Sequence, residues 1–152
     1  MPARTTLHPT IPHMVLLACA PIGRLHADGV AAALALGLAT GGWAETDSYA
    51  LREAYTGAEL AQALAEDRFE IRLRRARALV IAVEQLVRDG LAATAAFDLA
   101  TRARQGGVPA FAVAARAEID PFTARMLDLQ VVLQARGPLG LQRAGERLAE
   151  AI

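Results

Sequence analysis

RALVIAVEQLVRDG, residues 77–90, decides how the rest of the chain is read. Ala78 to Val83 is an unbroken apolar run rich in β-branched residues, and Glu84 ends it abruptly. Such a run reads as a strand buried on both faces, because helices cover each side of a parallel sheet and leave no polar alternation. The first polar residue past such a strand stands where α/β folds seat their ligands. Glu84 is therefore the first candidate for chemistry.

The same logic extends outward in both directions. Met14 to Cys19 (MVLLAC) reads as the first buried strand, with Pro21 and Gly23 opening a loop behind it. Asp28 is placed to cap a helix from Gly29 to about Ala39, with Val30, Leu34 and Leu38 on one face and Gly41 and Gly42 as its stop. Leu36 falls off that stripe, which predicts a helix covered on more than one side. Trp43 to Tyr49 is a weaker strand. Thr56 and Glu59 have capping-box spacing ahead of a helix through Leu60 and Leu64. A further helix fits Asp67 to Arg77, with Phe69, Leu73 and Ala76 on one face.

Beyond the 77–90 stretch, a helix is predicted from Ala92 to Gln105 and a strand from Ala110 to Ala114. Asp120 and Pro121 announce a short helix as N-cap and first helical residue. Leu129 to Leu133 reads as the last strand. Gly137 and Pro138 open a helix in which Leu141, Ala144, Leu148 and Ile152 share a face. Strands alternating with helices, the strands apolar throughout, predict a Rossmann-like α/β fold. Its sheet is mainly parallel, of about five strands, with helices on both faces. Residues 13–152 form one domain, behind a proline-bearing N-terminal arm over residues 1–12 that is expected to be loose.

Composition narrows the chemistry. All 16 basic residues are Arg, and the chain contains no Lys. Schiff-base catalysis and a P-loop lysine are excluded, since each needs an amine. Any phosphate or carboxylate must be held by Arg or by backbone N–H groups. The formal net charge is zero, so neither nucleic acid nor a membrane surface exerts a general attraction, and neither is expected as a partner. The single cysteine forbids an internal disulfide and fits a reducing compartment; a cytoplasmic location is the expectation. The longest apolar stretch, Val30 to Ala39, is too short to span a bilayer.

The strand ends supply the candidate site residues. Glu84, beside apolar Val83, is a candidate acid/base, with Arg88 and Asp89 as an orienting pair. Cys19 is a candidate nucleophile if the following helix stabilises its thiolate, with His26 as a conceivable partner. Arg116 and Arg136, each just past a strand, are candidate anion-binding residues. His8, His13 and His26 show no metal-ligand spacing with Cys19 or a carboxylate, and no metal site is expected. Neither G-x-G-x-x-G nor a Walker A sequence occurs, so no cofactor is expected. The crowded Arg72, Arg74, Arg75 and Arg77 read as a solvated helix face, since no aromatic residue is interleaved among them.

Two blocks carry a family resemblance. MVLLACAPIGRLHADGVAAALALGLATGGW, from Met14, resembles the opening strand, loop and helix of the type-1 glycerate kinases, which phosphorylate glycerate with ATP and magnesium. GAELAQALAEDRFEIRLRRARALVIAVE, from Gly57, resembles the segment entering that family's Gly-Glu-Gly-(Arg/Ser)-x-Asp signature. RARQGGVPAFAVA then resembles a later helix, turn and strand. Together the blocks cover nearly the whole chain after the arm.

The departures from the family fall at its chemistry. A gapless overlay sets Cys19, Ala20, Pro21 and Ile22 where the family reads Asp-Ser-Phe-Lys. The signature overlays Val83 to Arg88 and keeps only Glu84. The family's long middle section is missing between the blocks. The resemblance thus implies a glycerate kinase-like fold without the kinase chemistry. The resulting expectation is a binding module for a small acidic metabolite or a protein partner. A second copy of the chain is one such partner, because loss of a lobe exposes apolar surface. The alternative is a repurposed isomerase, lyase or cyclase using Glu84 as acid/base, with Arg88, Arg116 or Arg136 holding an anionic group.

Overall fold

Five strands form one sheet in which every neighbouring pair is parallel, in the order β2-β1-β3-β4-β5. The computed structural model describes residues 13–52 and 57–152. The strands are β1 (Met14–Cys19), β2 (Thr46–Ala50), β3 (Ala76–Val87), β4 (Ala110–Glu118) and β5 (Leu129–Gln134). The helices are α1 (Ala27–Thr40), α2 (Gly57–Glu66), α3 (Phe69–Arg74), α4 (Ala95–Gln105), α5 (Pro121–Met126) and α6 (Gly137–Ala151). This is the Rossmann-like α/β architecture expected from the apolar strands. The 1–12 arm and Thr56 of the expected capping box lie outside the described residues.

Two apolar layers lie on either side of the sheet. On one, Leu79, Ile81 and Val83 of β3 pack with Leu60 and Leu64 of α2, Phe69 and Leu73 of α3, and Leu99 of α4. On the other, Ala78, Val80 and Ala82 pack with Val30, Leu34 and Leu38 of α1 and Leu141 and Leu148 of α6. Alternate residues of one continuous apolar run thus serve opposite layers, as a strand covered on both faces requires.

Helices α1 and α6 meet through their smallest residues. A Cβ added at Gly37 would collide with the carbonyl oxygen of Gln142, and one at Gly145 with that of Leu34. A Cβ at Gly41 would strike the Cβ of Ala149. Glycine here allows backbone contact between helices, not conformational freedom.

Several boundaries differ from those expected. β3 does not end before Glu84; it continues to Val87, because Gln85, Leu86 and Val87 pair with Arg116, Ala117 and Glu118 of an equally extended β4. Leu86 is buried and anchors this extension. Arg68 takes a left-handed conformation (φ 54°) and starts α3, which ends at Arg74, so Ala76 belongs to β3. The α1 cap is His26, without a side-chain hydrogen bond, and Asp28 sits within the first turn. Leu36 is 60% exposed, so α1 is not covered on the side that it faces. β2 starts later than Trp43, and Trp43 instead donates its indole N–H to the Ala149 carbonyl, 3.3 Å away. The Asp120–Pro121 signal is met as read, with Asp120 accepting from the Thr123 N–H at 2.6 Å.

Candidate functional site

In the order 2-1-3-4-5, connections leave β1 and β3 in opposite directions along the sheet, and a crevice opens between their C-terminal ends. Here β1 stops at Cys19, paired with Ala82, whereas β3 runs five residues further, from Val83 to Val87. The unequal lengths make a step. At the step lies an open cleft of about 390 Å³, lined by Ala20 and Pro21 after β1, Leu51 and Arg52 after β2, Val83 to Gln85 of β3, and Ala93 to Ala96 at the start of α4.

Local structure holds each wall. After β1 the chain folds back in a tight turn: Ile22 and Leu25 exchange backbone hydrogen bonds of 3.1 and 3.0 Å, and Gly23 takes φ 59°. That positive φ is the conformation glycine tolerates best. The Gly23 N–H donates to Oε2 of Glu84 at 3.2 Å, tying the turn to β3. Opposite, a 3₁₀ turn over Leu91–Ala93 delivers Thr94 to the cap of α4, where its hydroxyl accepts from the Phe97 N–H at 3.3 Å. Asp98 N–H donates to the Thr94 carbonyl at 3.3 Å. The N–H groups of Ala95 and Ala96 stand in the first turn of this eleven-residue helix, where the helix dipole is positive.

The expected site residues divide. Glu84 is on the cleft wall and exposed, and its partner is a backbone N–H. Cys19 lies in the opposite layer, among the residues under α1, and is 1% exposed. Burial, reinforced by the Asp28 carboxylate, pushes its thiol up to about 12, so the α1 N-terminus does not stabilise a thiolate here. His26 is exposed.

Arg88 and Asp89 stand beyond the end of β3, both exposed; Arg88 faces Asp120 closely enough to help hold that carboxyl low, after the Thr123 hydrogen bonds. Arg116 is bound to Glu118 at 2.7 Å, a partnership that raises the guanidinium pKa and lowers that of the carboxyl. Arg136 donates to the Ala115 carbonyl at 3.1 Å. Arg88, Arg116 and Arg136 are absent from the lining of the cleft with Glu84.

Arg52 was not singled out from the sequence. It lines the cleft, is exposed, and makes no ion pair among the described residues. Extending the strand-end argument to β2 would have found it, since Arg52 follows that strand by two positions. A larger hollow of about 720 Å³ lies between α2, α3 and α4, but its Arg102 is already paired with Glu70 and Asp98. No cluster of three or more His, Cys, Asp or Glu side chains suited to a metal ion occurs among the described residues. No helix among them is long and apolar enough to cross a membrane.

No protein-family model and no curated protein matches the chain.

Proposed function

We propose that the protein is a non-catalytic binding module whose ligand is a small acidic molecule, seated in the cleft at the ends of β1 and β3. The observation that carries this reading is Arg52 on the cleft wall, an exposed guanidinium without an ion-pair partner among the described residues. An Arg without a partner is suited to grip a carboxylate through paired N–H bonds. The first turn of α4 borders the same space and adds a favourable dipole for negative charge. Glu84, the one carboxylate on the wall among the described residues, is engaged by Gly23, which reduces its repulsion of an acid.

The type-1 glycerate kinase resemblance supports the choice of ligand class. The two stretches aligned with that family's active-site motifs, Cys19 to Ile22 and Val83 to Arg88, both adjoin the cleft. A chain that has lost the charged residues there, and that contains no Lys, retains a place for a hydroxy acid but not the means to phosphorylate it. Glycerate is the natural first probe. Calorimetric titration with glycerate should show one saturable site. Arg52→Glu should weaken it tenfold or more, about 1.4 kcal/mol or above.

A repurposed enzyme is the second reading, favoured by one observation: Glu84 touches the cleft. In that case Glu84→Gln would abolish turnover of the ligand. In the binding module the same substitution keeps or modestly raises affinity, because the amide oxygen still accepts from Gly23 and one negative charge leaves the wall.

A further inference from the structure

The two edges of the sheet are treated differently. At the β2 edge, the Leu51 N–H bonds the Cys19 carbonyl, so by alternation Ser48 directs its backbone groups outward. Arg72 covers that position: its Nη2 donates to the Ser48 carbonyl at 2.7 Å while the guanidinium also binds both oxygens of Asp47 at 2.8 Å. A charged side chain laid across an exposed edge is a recognised guard against strand addition.

The β5 edge has no such guard. Its sequence, LQVVLQ, contains no charge and no proline. The Ala135 N–H bonds the Ala114 carbonyl, so Val132 and Gln134 present their N–H and C=O groups to the open side; the alternation stops there, because the register shifts between the Ala110–Leu129 and Ala112–Val132 pairs. Among the described residues no side chain caps the outward groups of Val132. Val131 and Val132 are each only partly buried, and a shallow groove of about 260 Å³ runs between β5 and α6, lined by Val131, Leu133, Arg147 and Glu150.

We infer that the β5 edge is a self-association surface, and that its occupant is β5 of a second copy, paired antiparallel across a two-fold axis at Leu133. Two features select a second copy over another strand. The first is register: a dyad at Leu133 sets Val132 opposite Gln134 of the other copy, and Gln134 opposite its Val132. The outward backbone groups of both residues are then satisfied in one isologous interface. The second is charge. Arg143, Arg147 and Glu150 share the exposed flank of α6 at helical spacing and form no ion pair among the described residues. The stripe is basic at one end and acidic at the other. A two-fold axis reverses it, so the Glu150 end of one helix meets the Arg143 end of its mate.

Light scattering of the full chain at micromolar concentration tests this. The expected mass is twice the 16.1 kDa of the chain. Val132→Pro deletes an outward N–H without touching the β4 ladder, and Val132→Lys places a charge on the edge. Both should halve the mass, with circular dichroism unchanged. If the proline variant fails to fold, the lysine variant decides. A wild-type chain of monomeric mass overturns the inference, as does a dimer that survives a folded variant.

Discussion

The Glu84 carboxylate accepts the Gly23 N–H at 3.2 Å, joining β3 to the turn that follows β1 across the switch in strand order. Glu84 thus ties the end of the apolar run in β3 to the loop after β1 by a hydrogen bond. The bond gives the residue a structural task independent of any reaction. Because the bond is exposed, its loss in Glu84→Ala should cost about 0.5–1 kcal/mol in urea unfolding. Glu84→Gln keeps an acceptor oxygen and should fall within a few tenths of wild type. Equal losses for both variants would mean that the charge, not the Gly23 bond, is what stabilises.

Cys19 should be inert in the folded protein. Its thiol, raised from 9.0 to about 12 chiefly by burial, stays protonated at pH 8, and 1% exposure keeps reagents away. Alkylation should proceed only in denaturant. The sign of the linked pH effect follows. Below pH 9 the thiol is protonated in both states and stability is unaffected. Between pH 9 and about 12 the unfolded chain ionises while the folded one does not, so stability falls as pH rises, by at most about 1.4 kcal/mol per pH unit. Cys19→Ala should remove this component of the slope. Rapid alkylation of native protein at pH 8 would contradict the assignment.

The α1–α6 crossing makes two glycine substitutions in one helix differ in sign. In helix interiors Gly→Ala gains up to about 1 kcal/mol from propensity alone. At Gly140 an added Cβ meets nothing within 4 Å, so Gly140→Ala should stabilise by some part of that amount. At Gly145 the Cβ meets backbone atoms of Leu34, Gly37 and Leu38, and prying the helices apart costs roughly 1–3 kcal/mol or more. Thermal melts should therefore move in opposite directions. A stabilising Gly145→Ala would show the helices to be further apart than described.

Much of the fold was legible because apolar runs and caps are local signals. The β1 limits were read directly from MVLLAC, and the Asp120–Pro121 helix from its cap. The end of β3 was not legible. Glu84 and Gln85 are polar and look like a loop, yet their backbone remains in the sheet because β4 extends equally far and Leu86 is buried. That is long-range pairing, invisible to a run of residues read alone. The α1–α6 contact was hidden for a similar reason: Gly41, read as a helix stop, is with Gly37 and Gly145 a close-approach point between helices far apart in sequence.

The site was legible in part. Placing ligand chemistry at the strand ends led to Glu84, which lines the cleft. The same rule also collected Cys19, Arg116 and Arg136, because it identifies an edge and not a face. Cys19 points into the α1 layer, and Arg116 is occupied by Glu118. Arg52 was passed over because β2, with its polar sequence TDSYA, is the faintest strand signal in the chain.

Backbone amide chemical-shift mapping during titration with glycerate tests the binding proposal most directly. The account predicts saturable shifts concentrated at Gly23, Arg52, Thr94, Ala95 and Ala96, and their disappearance in Arg52→Glu while the remaining spectrum is preserved. The absence of saturable shifts, or shifts centred on Arg116 and Arg136 and unaffected by Arg52→Glu, would contradict it.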